Sequence, residues 1–162
     1  MANNELFFQD EEFIVSKTDT SGNITYGNDL FIQISGYSEK ELLRSPHNIL
    51  RHPDMPKLIF KLLWERVQNG KEIFAYVKNQ TKDKNYYWVF AHVTPSYDNS
   101  GKIIGFHSVR RKPTPEALSV IIPLYTSLLN GEKRGGINES KSILEKQLAQ
   151  LGKNYDQFIL AL

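Results

Sequence analysis

Hydrophobic and polar positions change rhythm several times along the chain, and each change marks an element. Two short apolar runs, Phe13 to Ser16 and Ile24 to Tyr26, flank the turn-forming cluster Thr20-Ser21-Gly22-Asn23 and predict a β-hairpin. Asn28-Asp29 then offers a cap for a short helix carrying Leu30, Phe31 and Ile34 that ends near Gly36. A second short helix is predicted from Glu39 to Leu43, followed by a loop at Ser45-Pro46-His47. From Pro53-Asp54 onward Met55, Leu58, Ile59, Leu62, Leu63 and Val67 recur at helical spacing as far as Asn69-Gly70, which predicts the longest helix of the core. Beyond Gly70 the period falls from about 3.6 residues to about 2. Three β-rich stretches result, Ile73 to Gln80, Tyr86 to Thr94 and Ile103 to Arg110, separated by polar turns at Lys82-Asp83-Lys84-Asn85 and Asp98-Asn99-Ser100-Gly101.

This order predicts an α+β fold: one antiparallel sheet of five strands, with short helices and one long helix on one face enclosing a pocket. In the middle strand of the last three, Tyr87, Val89, Ala91 and Val93 point one way while Trp88, Phe90 and His92 point the other. Both faces therefore carry apolar bulk, and the outer one needs a cover. Leu6-Phe7-Phe8, a helix from about Pro115 to Asn130, and a second protein are the candidates. After Gly135-Gly136, Leu144, Leu148, Leu151, Tyr155, Phe158 and Leu162 form an a/d stripe that predicts a separate helix, packed either on its own domain or on a partner. The expected organisation is an N-terminal cap segment (1–12), a sheet-and-helix domain (13–112) and a C-terminal helical extension (113–162).

Composition narrows the function classes. A chain of 162 residues, 40% hydrophobic and 23% charged, suits a single folded domain. Its 20 basic and 18 acidic side chains leave a formal charge of +2, which argues for neither nucleic acid nor an anionic membrane as partner. The absence of cysteine excludes disulfides, thiolate zinc sites, thiol nucleophiles and a thiol adduct to a flavin. The start is polar and then acidic, unlike a secretory signal, and no apolar run approaches a membrane span, so a cytoplasmic protein without direct membrane insertion is expected.

The densest polar cluster is Asn48-Ile49-Leu50-Arg51-His52-Pro53-Asp54-Met55-Pro56. Arg51 offers a planar fork and the helix start offers free N–H groups, so an anion can dock there; alternatively Asp54 caps the helix and Arg51 pairs with it. His47, His52 and Asp54 match no metal-ligand spacing, and no catalytic triad order, nucleophile elbow, phosphate loop or dinucleotide fingerprint is present, so neither metal nor turnover is expected. Trp64 on the long helix, Asn79 at the end of one strand and Tyr87 on the next supply stacking surface and rim hydrogen bonds of the kind a planar heteroaromatic ligand needs. The alternative is that Trp64 is core and Asn79 simply ends a strand.

Tyr26-Gly27-Asn28-Asp29, Ile34-Ser35-Gly36-Tyr37, Pro46-His47-Asn48, Arg51-His52-Pro53-Asp54-Met55-Pro56, Val77-Lys78-Asn79 and Tyr87-Trp88-Val89 together resemble the PAS domain of bacterial aerotaxis transducers, from about residue 13 to about residue 130. The resemblance implies a PAS fold, non-covalent FAD, and a redox report to the chemotaxis machinery. Matched motif by motif, it implies flavin-site roles for Asn28, Arg51, His52, Asp54, Trp64, Asn79 and Tyr87, with Phe60 as a further candidate. The stretch Ile73-Phe74-Ala75-Tyr76 departs from the transducers, where a Trp and a Gly are expected. Those transducers continue into a membrane anchor and a signalling domain, so the resemblance implies a stand-alone PAS protein of a bipartite energy-taxis receptor.

The expectation is thus a flavin-based redox sensor and not an enzyme. Its partner would be a membrane-bound chemotaxis transducer with HAMP and signalling domains, and a homodimer through the outer sheet face or the C-terminal helices is the other predicted contact. A change at the flavin rim would re-orient Asn79 and shift the sheet. Rival readings are a PAS domain sensing through heme, with His52 or His107 as axial ligand, one binding a small metabolite, and a cofactor-free dimerisation module.

Overall fold

The computed structural model describes residues 3–162. Five antiparallel strands form one sheet in the order β2-β1-β5-β4-β3: β1 (Ile14–Thr18), β2 (Ile24–Gly27), β3 (Ile73–Gln80), β4 (Tyr86–Tyr97) and β5 (Ile103–Arg111). Helices α1 (Asp29–Ser35) and α2 (Glu39–Leu42), a 3-10 turn at His47–Leu50 and α3 (Lys57–Gln68) lie between β2 and β3. The chain ends in α4 (Pro115–Leu151), broken at Gly135 and Gly136, and α5 (Tyr155–Leu160). The expected α+β order is therefore the observed one.

Local chemistry fixes the first helices. Asn28 caps α1, its carboxamide oxygen accepting from Phe31 N at 3.1 Å, and Gly36 ends the helix in the left-handed region at φ 77°. Ser38 and Glu41 form a reciprocal capping box on α2. Strand β4 runs three residues past the predicted end at Thr94 despite Pro95. Its ladder with β3 stops at Ile73↔Val93, so Pro95 sits where β4 has only β5 beside it and a missing N–H is tolerated.

Helix α3 begins later than the apolar spacing predicts, and Asp54 does not cap it. The N-cap is Pro56, which has no side-chain acceptor. The orphan N–H groups of Lys57 and Leu58 instead donate to the Glu132 carboxylate of α4 at 2.9 and 3.1 Å, and Ser140 Oγ donates to the same carboxylate at 2.9 Å. At the other end of α3, Arg66 Nη1 donates to both carboxylate oxygens of Asp156, at 2.7 and 2.9 Å. The C-terminal segment thus grips the long helix at both ends.

The same segment covers the outer face. Tyr125 Oη donates to the Tyr76 carbonyl at 2.6 Å and Tyr155 Oη to the Phe74 carbonyl at 2.8 Å, so two carbonyls of the edge strand β3 are satisfied from outside the sheet. Trp88 is buried against Tyr125, with ring centroids 6.0 Å apart. At the N-terminus Leu6 N donates to Tyr86 O, and Phe8 is buried. The predicted a/d stripe is not one helix: Gly152, at φ 65°, separates Leu144 and Leu148 on α4 from Tyr155 and Phe158 on α5. Leu144, Tyr155 and Phe158 are buried on the chain's own core, while Leu151 is exposed.

Substituting Glu132 by Ala removes a charged acceptor from three donors and should lower unfolding free energy by about 1–2 kcal/mol. Urea denaturation is expected to show a lower midpoint with an unchanged slope; an unchanged midpoint would mean that water caps α3 equally well.

Candidate functional site

Between the inner sheet face and α3 lies a cavity of about 330 Å³, at the small end of the range typical of small-molecule sites. It exists because the strand positions facing α3 carry short side chains. Ser16 and Thr18 of β1, Val77 of β3, Ala91 and Val93 of β4 and Ser108 of β5 line one side, while Phe60, Leu63, Trp64 and Val67 of α3 line the other. Trp64 stands edge-on to Phe106, with centroids 5.4 Å apart. Its six-membered ring abuts Gly22 in the β1–β2 turn, where a Cβ would come within 2.9 Å of Cζ2 and Cη2. Gly22 also has a φ of 84°, so both space and backbone require glycine there.

Four predicted site residues come together on this cavity: Arg51, Phe60, Trp64 and Asn79. The Arg51 guanidinium lies 3.9 Å from the centroid of the Phe60 ring, and its backbone bridges to Asn79. Asn79 is buried, and Tyr87 faces it across the β3–β4 ladder. Tyr87 is not part of the cavity lining. Its hydroxyl is buried without a well-formed hydrogen bond, with the Asn79 carboxamide and Arg110 as polar neighbours, and burial pushes it up to about 12.

Three other predicted residues support the site from outside. Asn28 does not reach the cavity, because its carboxamide is spent on the backbone: it accepts from Val15 N and Phe31 N and donates to Phe13 O, joining β1 to α1. His52 and Asp54 build the corner beside Arg51. Asp54 N donates to His52 Nδ1 at 3.0 Å and Lys78 Nζ pairs with Asp54 Oδ2 at 3.0 Å, so the carboxylate meets Lys78 and not Arg51 or the helix end. The Lys78 hydrogen bond holds the Asp54 carboxyl below its usual range, while burial and then Lys78 depress His52.

The most unusual group on the cavity is one that no sequence motif marks, Arg110. Arg110 is 3% exposed, and among the described residues no carboxylate pairs with it. Its Nη2 donates to Ser16 Oγ at 2.6 Å, Nη1 lies 3.3 Å from His47 Nε2, the Phe31 ring lies under the guanidinium at 4.9 Å, and Nε has no partner. Burial lowers Arg110 to about 10, which leaves it charged at neutral pH. His47 stacks on Phe31 and also meets Ser16 Oγ at 3.1 Å; burial and then the Arg110 cation push it down to about 3, so the imidazole is neutral. The lining thus carries two guanidinium groups and no carboxylate. Period-2 alternation through Phe106, Ser108 and Arg110 was the available signal: it places an arginine on the inward face of β5.

His107 lies on the opposite face of β5 from Phe106 and Ser108, and His52 is outside the lining, so neither proposed axial ligand reaches the cavity. His47 does, but Ser16 and Arg110 occupy its Nε2 side. In the divergent stretch of β3, Phe74 and Tyr76 stack on Phe90 and His92 on the outer face, while Ile73 and Ala75 are buried on the inner face and lie outside the cavity lining.

Because His47 is near 3 when folded and about 6.5 when unfolded, the unfolded chain binds more protons between those values. Its contribution is full above pH 6.5 or so and is lost as pH falls toward 3. From pH 7 to 5 the wild-type chain should lose about 1–2 kcal/mol more stability than His47→Gln, compared by urea unfolding at both pH values. Equal losses in the two proteins would show that His47 takes up its proton in the folded state.

The PAS fold profile matches residues 24–110. Over 142 residues, 88% of this chain, the sequence is 37% identical to the aerotaxis receptor of Escherichia coli strain K12, and it spans 28% of that protein's length. A nitrogen fixation regulatory protein of Klebsiella pneumoniae is 28% identical over 97 residues, 60% of this chain and 20% of that protein. Among solved structures, the LOV domain of the blue-light photoreceptor Aureochrome1 superposes with a TM-score of 0.61 at 18% identity, covering 70% of this chain and 90% of that one. The five-stranded order, the helices between β2 and β3, and the profile match together show that this chain belongs to the PAS fold family.

Proposed function

We propose that this chain is a sensory PAS domain that holds a flavin, FAD by the family resemblance, and reports its redox state to a membrane-bound chemotaxis transducer. The observation that carries the reading is the composition of the cavity wall: an aromatic side from Phe60 and Trp64, a carboxamide from Asn79 and two unneutralised cations, in a chain 37% identical to an aerotaxis receptor. A light-oxygen-voltage domain studied with a flavin analogue shares the fold at a TM-score of 0.60 and 18% identity. The residues fit such a group. Trp64 and Phe60 would flank a planar ring, Asn79 would bond its rim, and Arg51 at the mouth would meet a phosphate-bearing remainder lying outside the cavity. The flavin itself would supply reversible electron uptake.

The chain's own connections give that ring an outlet. An amide both donates and accepts, so Asn79 would turn when the donor pattern at the rim changes. Strand β3, which carries it, is bonded through the Tyr76 and Phe74 carbonyls to Tyr125 and Tyr155 of the C-terminal helices. Helix α3, which carries Trp64, is held by Glu132 and Asp156 of the same helices. Both cavity walls therefore reach one surface, α4 and α5, where a transducer would read them; α4 and α5 occupy the outer face over β3 and leave their own far sides for a partner. No helix among the described residues is long and apolar enough to cross a membrane.

The purified full chain should be yellow, with paired absorption bands near about 370 and 450 nm, and heat should release FAD. A colourless protein or an intense heme band would refute the reading. Trp64→Ala and Asn79→Asp should each lower the flavin-to-protein ratio at least severalfold on gel filtration, and ratios equal to wild type would remove those residues from the site.

A further inference from the structure

We propose that Arg110, held by Ser16 and His47, is the charge-compensating group of the cavity, so that its occupant presents a negatively charged or strongly accepting edge to the inner faces of β1 and β5. This rests on the flavin reading and adds to it which edge is met: the carbonyl-and-imide edge of the ring, where negative charge gathers on reduction.

Burying a cation is costly. A guanidinium removed from water is tolerated when a carboxylate pairs with it or when hydrogen bonds and a ligand satisfy it. Among the described residues Arg110 has no carboxylate partner, and its Nε has no hydrogen-bond partner. Its other nitrogens face groups that bring no charge: a serine hydroxyl at 2.6 Å and a histidine nitrogen at 3.3 Å. His47 is held neutral, so it orients the guanidinium without neutralising it. Beneath lies the face of Phe31 at 4.9 Å. Four elements, β1, β5, α1 and the 3-10 turn, thus converge to hold one cation on a cavity wall with a donor to spare.

The consequence is electrostatic. One electron delivered by a reductant such as dithionite adds one negative charge to the bound ring, and no proton need accompany it. A fixed cation on the wall lowers the energy of that reduced form relative to the oxidised one. The reduction equilibrium of the bound flavin therefore carries the mark of residue 110.

The test uses the full chain purified with its flavin, as wild type, Arg110→Gln, Arg110→Lys and Ser16→Ala, with flavin content read by absorbance and midpoint potential by titration at pH 7. Arg110→Gln should shift the one-electron equilibrium toward the oxidised form at least tenfold, which is about 59 mV to more negative potential, with Arg110→Lys between it and wild type. A flavin-free Arg110→Gln beside a yellow Arg110→Lys also supports the proposal. Yellow Arg110→Gln with the wild-type potential overturns it while leaving the flavin reading intact, as does loss of flavin from both folded variants, since charge alone then does not hold the ring. If neither variant folds, Ser16→Ala decides: a potential shifted the same way supports the proposal and an unchanged one overturns it. Colourless wild-type protein would instead refute the flavin reading.

Discussion

The separation between α3 and the inner sheet face is the constraint on which the rest of the structure depends. Around the cavity the same face is filled, with Ile14, Ile73, Tyr87 and Val89 fully buried. Beneath Phe60 and Trp64 the strands present, beside Phe106, mostly serines, alanine and valines, and the layers do not close. A gap of this size in a dry core would forfeit packing on both walls, and interiors rarely tolerate it without an occupant. The helix cannot sink to fill it, because carboxylates of the C-terminal segment hold both of its ends. Trp64 is blocked from turning aside by the β1–β2 turn at Gly22.

Electrostatics give the gap a preference. Arg51 stands at its mouth over Phe60, and Arg110 lies deep beside Ser16 and His47. The His52-Asp54-Lys78 corner neutralises itself, so it shapes the entrance without adding net field inside. A ring system with an acceptor-rich edge and a phosphate-bearing tail matches that distribution of charge, and the likeness to an aerotaxis receptor points the same way.

Much of the fold could be read from periodicity, because strands and short helices are specified by residues close in sequence. Asn28, Ser38 and the glycine stops lie beside the helices they bound. The start of α3 could not, since its cap is Glu132, 75 residues away, and Asp54 was drawn off by Lys78. Similarly, the a/d stripe counted through Gly152 as if the helix continued, whereas a left-handed residue there turns Tyr155 and Phe158 onto β3. At the site, Trp64 and Asn79 were recognisable as ligand-facing chemistry because each is unusual where it stands. The Ser16-His47-Arg110 group was not, because its members lie on three elements up to 94 residues apart and only the folded sheet brings them together.

The C-terminal helices link the cavity to the surface twice, through two tyrosine hydroxyls on β3 and two carboxylates on α3. Whatever fills the gap is thereby coupled to the elements a partner would touch. The most direct test of the central claim is a crystal structure of the protein with the chromophore it carries from the cell. A planar tricyclic ring between Trp64 and the strands, with its accepting edge toward Arg110, is the expected result. A cavity closed by the protein's own side chains, or a ring bound elsewhere, would contradict it.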